Sequence, residues 1–372
     1  MPKQRPTSSN AMSFDLESAE LSSSSCSIDD KLPSTNNLIR GKESQYAVGR
    51  KLAQGRYGAV YEVLRKSDGK PFACKLEICG ANSHGLDMDY VVMSQAAKRE
   101  NVTSRTGSTD DYDNEPPMNF HKRASIDMQD TLLQLSRCNH LVKSMDRGKI
   151  EDHFKFLIMP LLGDNLTKIR HQFVDGRLSL STGLRLAFLA LAPIQELHSI
   201  GYVHRDIKCS NFCLAPNSSR GDTKLVLIDY GVCRAYKDKS GNIKAPREQV
   251  RFRGTTRYAS INAHNGEEQA PRDDLASWFY MMIEMLSGYL PWSHFHRDSV
   301  NEVRAMKEHV QTSEGANLLF EFCPKVEFRR LQKYIDGLKY PSQPDYTFIA
   351  EMLQLAMKNN GVKMDEPYDW EE

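Results

Sequence analysis

Hydrophobic and polar residues change their pattern several times along the chain, and these changes predict the order of its elements. Residues 1 to about 44 are rich in Ser, Asn and charge and hold few large apolar groups, which predicts a disordered tail. Short apolar stretches typical of strands flank a glycine-containing segment at 54–60, and another strand is predicted at Pro71–Lys75. A polar stretch from about 80 to 125 then interrupts this pattern and is interpreted as an insertion.

The polar stretch is not uniform, and regular patterns return after it. Within it, Leu86–Met93 has the spacing of a helix, whereas most of the remainder has the composition of a solvated loop. A helix is predicted at Ile126–Arg137, followed by strands at Leu141–Asp146 and Phe154–Met159. A short apolar linker at Pro160–Gly163 then leads into helical sequence.

The second half of the chain has a mainly helical pattern. Apolar residues at helical spacing predict a helix at Leu178–Ser199, and Leu275–Leu286 is apolar nearly all round, which indicates a buried helix. The complete pattern, strands followed by helices, predicts an α+β fold. Its predicted parts are the tail at 1–44, a part rich in strands at 45–162 with the insertion at about 80–125, a larger, mainly helical part at 163–358, and a C-terminal extension at 359–372 packed on or near these parts.

The eight residues from His204 to Asn211 combine an acid, an ammonium group and an amide at fixed offsets. Phosphoryl transfer needs a carboxylate that accepts a hydroxyl proton and an amide that holds magnesium, and Asp206 and Asn211 have the spacing for these roles. Lys208 lies where an ammonium group stabilises the transferring phosphoryl group in kinases that modify Ser or Thr. A surface loop that contains these common residues by chance is the alternative. The octapeptide resembles the catalytic loop of a protein kinase.

Three further motifs follow the order of a protein kinase, which argues against the surface-loop alternative. The segment 54–60 provides backbone N–H groups for phosphates, and Lys75 is predicted to pair with the α- and β-phosphates of ATP. Asp229 follows a buried strand and is the predicted second magnesium ligand, beside Asn211. The predicted nucleotide-binding residues are Leu52, Ala53, Gln54, Gly55, Arg56, Tyr57, Gly58, Ala59, Val60, Ala73 and Lys75, with Met159 and Leu162 at the adenine pocket.

The segment Phe252–His264 makes the family resemblance more specific. It carries Ser260-Ile261-Asn262 where most protein kinases have Ala-Pro-Glu, and in this it resembles the casein kinase I group. Further motifs, at 246–247, 273–275, 290–292 and 367–371, look like those of tau-tubulin kinases. The resemblance runs from about Tyr46 to the C-terminus, without the insertion. It implies a two-lobed Ser/Thr kinase, in which the strand-rich part at 45–162 is the small lobe and the helical part at 163–358 is the large lobe. It also implies the use of ATP and Mg²⁺, often without phosphorylation of the activation segment.

Four arginines lie close together before and within this segment, and they suggest how a substrate is held. Arg247, Arg251, Arg253 and Arg257 are predicted to bind acidic or phosphorylated substrate flanks. The alternative is a structural network in which these arginines pair with carboxylates of the chain itself. Thr255, which lies among them, is expected to bond Asp206 and Lys208.

Other positions depart from the kinase pattern or carry a structural role. Ala53 stands where the glycine-rich loop usually begins with glycine, and Tyr230 replaces the usual phenylalanine and needs a partner for its hydroxyl. More seriously, Gln129 is predicted to stand where a glutamate usually orients Lys75, with Asp127 and Asp130 as nearby acids. The alternative to an active enzyme is therefore a pseudokinase that binds phosphoproteins. Asp274 is expected to accept hydrogen bonds from the catalytic-loop backbone.

Composition limits the partners and the compartment. The chain has 49 basic and 48 acidic residues, and a net charge of +1 provides no general attraction to nucleic acids or anionic membranes. None of the eight cysteines forms a Cys-x-x-Cys pair, so reduced thiols in the cytoplasm, with possible access to the nucleus, are expected. The predicted cofactors are ATP and Mg²⁺. The predicted partners are protein substrates with Ser or Thr acceptors, and the chain is expected to be a monomer.

Overall fold

A computed structural model provides the fold of this protein. It describes residues 32–55, 57–80, 85–106, 140–150, 153–216, 218, 223–296 and 298–371, without the side chains of residues 100–106.

A six-stranded antiparallel sheet forms most of the small lobe. The strands are β1 (Leu38–Arg40), β2 (Gln45–Gln54), β3 (Gly58–Arg65), β4 (Pro71–Ile78), β5 (Asp146–Ile150) and β6 (Phe154–Pro160). Their order in the sheet is β1-β2-β3-β4-β6-β5. Alternate residues of the central strands point to opposite faces, so Val63, Cys74 and Ile158 join one apolar cluster while Ala73 and Met159 join the core shared with the helices.

The predicted tail extended too far, because residues 32–44 are part of the small lobe. Strand β1 pairs with β2, and Ile39 is buried. In the turn that follows, the N–H groups of residues 42, 43 and 44 all donate to the carboxylate of Asp146 at 2.8–3.2 Å. A distant carboxylate therefore orders a polar segment that has little apolar content of its own. Residues 1–31 lie outside the described part of the chain.

The helix predicted at Leu86–Met93, within the polar stretch, is confirmed and is longer than predicted. Helix α1 runs from Gly85 to Thr106. Leu86, Val92, Met93 and Ala96 are buried in the main core, at the helical spacing seen within Leu86–Met93. The first part of the polar stretch is therefore a packed helix of the small lobe, since one apolar stripe is enough to anchor a mostly polar segment.

Other predictions in this region have mixed outcomes. Phe154–Met159 is confirmed as strand β6, whereas β5 begins at Asp146 instead of ending there. Leu141 forms only an isolated bridge, with Leu227. The helix predicted at Ile126–Arg137 lies outside the described residues.

The larger lobe is mainly helical. Its helices are α2 (Leu166–Arg170), α3 (Leu180–Ser199), α4 (Ile261–His264), α5 (Pro271–Ser287), α6 (Val300–Gln311), α7 (Ala316–Leu319), α8 (Lys325–Gly337) and α9 (Tyr346–Asn359). Its short strands are β7 (Tyr202–Val203), β8 (Phe212–Leu214), β9 (Leu225–Leu227) and β10 (Arg234–Ala235), and they form two sheets, β7 with β10 and β8 with β9. The apolar helices α3 and α5 lie at the centre of the lobe and confirm the predicted helices at Leu178–Ser199 and Leu275–Leu286.

The C-terminal residues pack against the start of α3. Asp369 accepts hydrogen bonds from the Ser179 N–H at 2.7 Å and from the Thr182 hydroxyl at 2.7 Å. The guanidinium of Arg185 donates to the carbonyl of Pro367 at 2.8 Å and lies 4.0 Å from the ring centre of Tyr368. These contacts hold the last described residues on the large lobe.

Across the described ranges, none of the helices combines the length and the apolar character needed to cross a membrane.

Candidate active site

Lys75 lies between two carboxylates at the inner face of the sheet. Its Nζ is 2.5 Å from Asp89 Oδ2 on α1 and 2.7 Å from Asp229 Oδ1. Asp89 is fully buried, and its other oxygen accepts the Tyr230 N–H at 2.7 Å. Gln129, with Asp127 and Asp130 as nearby alternatives, was predicted to stand beside Lys75, and these three residues lie outside the described part. Among the described residues, Asp89 takes this place, because α1 carries it opposite β4.

The three charges alter each other's protonation. Burial alone would lower the pKa of Lys75, but the carboxylates of Asp89 and Asp229 outweigh burial and raise it. The Lys75 ammonium in turn lowers the pKa of Asp229 to about 2. Near neutral pH, Lys75 therefore carries a positive charge and Asp229 a negative one, as phosphate and metal binding require.

The hydroxyl that distinguishes Tyr230 from phenylalanine has two hydrogen-bond partners. The hydroxyl donates to the Leu227 carbonyl at 2.5 Å and accepts the Val142 N–H at 3.0 Å. The side chain is completely buried. The tyrosine that replaces the usual phenylalanine therefore has a structural role, because both hydrogen bonds of its hydroxyl go to backbone groups.

The predicted nucleotide-binding segment spans the turn between β2 and β3. Ala53, Val60 and Lys75 lie in one row across β2, β3 and β4. Leu52 and Tyr57 are exposed, Gln54 ends β2, and Arg56 lies outside the described residues. At Gly58 a Cβ would stand 1.8 Å from the Leu76 carbonyl oxygen, so the close approach of β4 requires glycine there.

The residues predicted to surround adenine lie beside this row. Ala73 on β4 pairs in register with Met159 on β6, and both are mostly buried. Leu162 follows β6 and packs, partly exposed, against the main core. The structure thus brings Val60, Ala73, Met159 and Leu162 to the same side of the small lobe as Lys75.

The catalytic loop forms one hydrogen-bonded group. Lys208 Nζ lies 2.6 Å from Asp206 Oδ2, and the Thr255 hydroxyl donates to Asp206 Oδ1 at 2.7 Å. Lys208 also donates to the Thr255 hydroxyl at 3.3 Å, so both predicted contacts of Thr255 are confirmed. Asn211 donates its Nδ2 to the Asp206 carbonyl at 2.8 Å. Because Nδ2 is used in this way, the amide oxygen of Asn211 is the atom left for a metal ion.

A family comparison agrees with this geometry. Residues 119–359, well over half of the chain, match the model of the protein kinase domain.

The chain belongs to the protein kinase family.

Of three similar proteins, two are serine/threonine kinases by name and the third is a casein kinase I homologue. A probable serine/threonine-protein kinase of Dictyostelium discoideum is 35% identical over 336 residues, which cover 90% of this chain and 57% of that protein. Serine/threonine-protein kinase spe-6 of Caenorhabditis elegans is 32% identical over 222 residues, 59% of this chain and 58% of that protein. Casein kinase I homolog 2 of Schizosaccharomyces pombe is 32% identical over 216 residues, 58% of this chain and 49% of that protein. The kinase thus spans about half the length of these relatives.

Asp274 holds the catalytic loop of this kinase, as expected from its place at the start of α5. Its carboxylate accepts the N–H groups of His204 at 2.6 Å and Arg205 at 2.8 Å, and His198 Nε2 lies 2.8 Å away. Burial opposes ionisation of Asp274, but these hydrogen bonds and the neighbouring histidines outweigh it and lower its pKa. Its role is to position the loop, because both of its carboxylate oxygens accept hydrogen bonds from the loop backbone.

Two of the four predicted anion-binding arginines are instead paired with carboxylates of the chain. Arg247 forms a two-pronged contact with Glu268, which Arg234 also contacts at 3.1 Å. Arg257 lies 2.8 Å from the fully buried Glu284. For Arg247 and Arg257, the alternative prediction of a structural network with carboxylates of the chain is confirmed.

The other two arginines differ from this pair. Arg251 and Arg253 are exposed, and among the described residues no carboxylate contacts either guanidinium. They lie in the segment that leads to Thr255, which itself contacts Asp206. These side chains are therefore available to an anion from solution.

Sequence reasoning missed Asp89 and Glu284. The signal for Asp89 was present, since Leu86, Val92, Met93 and Ala96 mark an apolar stripe, and an acid within that stripe is unusual for a buried face. Glu284 likewise interrupts an otherwise apolar buried helix. A charge inside an apolar periodic pattern is thus the signal that finds both residues.

Proposed function

We propose that this protein is an active serine/threonine kinase of the casein kinase I group, similar to tau-tubulin kinases, that transfers the γ-phosphate of ATP to protein substrates. The observation that carries the proposal is the Asp89–Lys75–Asp229 arrangement, which supplies the charge pair that the sequence seemed to lack. It also weakens the alternative of a pseudokinase scaffold, which rested on the absence of such an acid.

The residues suit ATP and magnesium. Carboxylate and amide oxygens are the ligands that Mg²⁺ prefers, and Mg²⁺ commonly takes only one or two side chains beside phosphates and water. Asp229, with its lowered pKa, and the amide oxygen of Asn211 would hold the metal ion. Lys75 would hold the α- and β-phosphates. When bound, the magnesium nucleotide supplies the phosphoryl group and neutralises charge on its oxygens.

In this proposal Asp206 acts on the substrate hydroxyl, and Thr255 and Lys208 assist it. Asp206 accepts its proton, and Thr255 holds the carboxylate of Asp206 through a hydrogen bond of 2.7 Å. Lys208, at 2.6 Å from Asp206, is positioned to compensate the charge that develops during transfer.

The experiment that tests the proposed function is transfer of label from γ-labelled ATP to casein, an acidic protein rich in Ser and Thr. The intact chain is expected to incorporate label with Mg²⁺ present and to lose this activity when EDTA removes the metal. A protein that binds ATP but transfers no label at high enzyme concentration would be a scaffold, and the proposal would be rejected.

Asp89 provides a sharper test of the observation behind the proposal. The variant Asp89→Asn keeps an oxygen for the Tyr230 N–H but removes the charge beside Lys75. Label transfer is expected to fall about 10- to 100-fold, because a hydrogen bond to a charged group contributes about 1.5–3 kcal/mol.

The matched control for this test lies two residues away on the same helix. Asp87 is exposed and contacts Lys155 instead, so Asp87→Asn is expected to leave transfer nearly unchanged. Equal activity in both variants would mean that Asp229 alone orients Lys75.

We further propose that substrates carry acidic or phosphorylated residues near the acceptor. Arg251 and Arg253 support this, because both are exposed cations close to Thr255. A cleft of about 250 Å³ lies beside the same segment and is lined by Thr255, Arg257 and Trp292, among others. A guanidinium that faces water binds carboxylate or phosphate groups at little desolvation cost.

Replacing both arginines, as Arg251→Ala with Arg253→Ala, is expected to raise KM for an acidic Ser peptide about 3- to 10-fold, since each exposed pair contributes up to about 1 kcal/mol. The kcat is expected to stay constant, because neither side chain contacts Asp206. Steady-state kinetics with acidic and neutral peptides measures the difference. The surface pair Arg329→Ala with Arg330→Ala on α8 is the control, and an equal rise in KM for the neutral peptide would contradict the assignment.

A further inference from the structure

His198, near the end of α3, is a buried side chain to which the proposed chemistry gives no direct part. It is 3% exposed, and the rings of Tyr346 and Tyr236 lie 6.1 and 6.3 Å from its ring centre. Its Nε2 is 2.8 Å from Asp274 Oδ2, and its Nδ1 is bonded to the hydroxyl of Tyr346, the first residue of α9. Both ring nitrogens are thus occupied, which fixes the orientation of the imidazole.

The two ends of this chain of contacts determine where its protons lie. Burial opposes ionisation of Asp274, but the hydrogen bonds that it accepts outweigh burial and lower its pKa, so the carboxylate can only accept. Burial raises the pKa of Tyr346 well above its usual value, so the hydroxyl keeps its proton. In a neutral imidazole, Nε2 therefore donates to Asp274, and Nδ1 accepts from the Tyr346 hydroxyl.

The carboxylate oxygen that His198 contacts also holds the catalytic loop. Asp274 Oδ2 accepts the His204 N–H at 2.6 Å, and Oδ1 accepts the Arg205 N–H at 2.8 Å. Asp206 follows these two residues directly in sequence. A displacement of Oδ2 would therefore move the backbone that carries Asp206.

Arg205 has a backbone conformation that needs this support. Its φ is +69°, in the left-handed region that residues with a Cβ rarely adopt. Such a conformation is unfavourable by itself and persists only where the surrounding structure holds it. The carboxylate of Asp274 provides this hold, because it binds the N–H of Arg205 and the N–H of the residue before it.

We propose that Tyr346 is a positioning residue for the catalytic loop and acts through His198 and Asp274. Its hydroxyl fixes the imidazole, the imidazole fixes Oδ2 of Asp274, and the carboxylate holds the loop in the conformation that presents Asp206. The effect of this chain on phosphoryl transfer rests on the proposed function, whereas its effect on the loop does not. Helix α9 is thereby linked to the catalytic loop although the two are distant in sequence.

Hydrogen exchange in the variant Tyr346→Phe tests the effect on the loop. The change removes only the hydroxyl and leaves the buried Nδ1 of His198 without a donor, so the imidazole no longer fixes Asp274. Amide exchange at His204 and Arg205 is expected to become about tenfold faster, with smaller changes elsewhere in the large lobe.

Steady-state kinetics separates positioning from a general loss of structure. In Tyr346→Phe, kcat for label transfer to casein is expected to fall about tenfold, because a poorly held loop misplaces Asp206. KM for ATP is expected to stay constant, since Lys75 and Asp229 keep their contacts. A variant that merely lowered the folded fraction would keep kcat per folded molecule and would accelerate exchange throughout the lobe.

The matched control is the other tyrosine beside His198. Tyr236 is 2% exposed, and its hydroxyl donates to the backbone carbonyl of His198 at 2.8 Å instead of to the imidazole. Tyr236→Phe therefore removes a buried hydrogen bond of the same histidine, yet it is expected to leave exchange at 204–205 and kcat nearly unchanged. Equal effects of the Tyr236 and Tyr346 variants would overturn the proposal, because the loop would then respond to general packing around His198.

A double-mutant cycle tests whether Tyr346 acts through the imidazole. The amide of His198→Gln can still donate toward Asp274 but lacks Nδ1, so adding Tyr346→Phe is expected to have no further effect on exchange at 204–205. An undiminished effect in this background would overturn the proposal, as would normal exchange in the single variant Tyr346→Phe. If His198→Gln fails to fold, the comparison of Tyr346→Phe with Tyr236→Phe decides the question. Because exchange requires no catalysis, an intact chain that transfers no label would reject the proposed function and leave this test in force.

Discussion

Replacing Asp206 with asparagine is expected to lower label transfer from ATP to casein by about 10³-fold, within the range that a positioned general base contributes. The amide cannot accept the proton of the substrate hydroxyl. It keeps an oxygen for the Thr255 hydroxyl, which now bonds Asp206 at 2.7 Å, so the loop should keep its shape. Binding of ATP is expected to persist, because Lys75 and Asp229 are unchanged.

The control for this change is an aspartate whose role is local. Asp238 is exposed and accepts the N–H groups of Ser240 at 2.8 Å and Asn242 at 2.9 Å, contacts that asparagine can also make. Asp238→Asn is expected to transfer label at the normal rate. Comparable transfer by Asp206→Asn and the intact chain would remove Asp206 from the mechanism. Loss of ATP binding in Asp206→Asn would instead indicate a disturbed fold.

Replacing Glu284 with glutamine is expected to lower the free energy of unfolding by about 3–5 kcal/mol, the cost of leaving a buried charge without its partner. Glu284 is fully buried on α5, and Arg170, which is 7% exposed, contacts it directly. Arg257 at 2.8 Å and the Tyr258 hydroxyl at 2.5 Å bond the same carboxylate. The amide would leave the Arg170 charge uncompensated inside the large lobe.

Denaturant unfolding monitored by circular dichroism measures this effect. The control is Glu321→Gln, because Glu321 also bonds a tyrosine hydroxyl, that of Tyr289 at 2.7 Å, but on an exposed surface. Its expected cost is below about 1 kcal/mol. A double change, Arg170→Met with Glu284→Leu, is expected to recover much of the lost stability, since it removes both buried charges together. A cost for Glu284→Gln as small as that of the control would show that water reaches Arg170.

The two effects have different origins although both involve carboxylates. Asp206 is partly exposed and, in the proposed function, works through its basicity toward a substrate, so its loss is expected to change a rate and little else. Glu284 is sealed in the core and works by compensating Arg170 and Arg257, so its loss is expected to change stability first. Glu284 contacts Arg257, which is two residues beyond Thr255. Glu284 therefore also supports the segment that contacts the catalytic loop.

The small lobe shows where sequence patterns misled. Two segments, Leu86–Met93 and Ile126–Arg137, had acceptable helical spacing, and the partner of Lys75 was sought in the second. Among the described residues, the first segment supplies a partner, since Asp89 faces Lys75, whereas the second lies outside them. Helical periodicity shows only that one face of a helix is apolar. It does not predict which strand that face will pack against. Likewise, the sequence of residues 32–44 is polar enough for a tail, but Asp146, about a hundred positions away, binds the turn.

The sequence by itself determined the family, the two-lobed α+β fold and the order of the catalytic motifs. Asp206, Lys208 and Asn211 lie within six positions of one another, so local backbone geometry already brings them together. Only the tertiary structure decided that Asp89 partners Lys75, that Glu268 and Glu284 take Arg247 and Arg257, and that Arg251 and Arg253 stay open to solvent. These outcomes depend on which distant groups share a buried volume, because an ion pair forms where packing brings opposite charges together and excludes water from them.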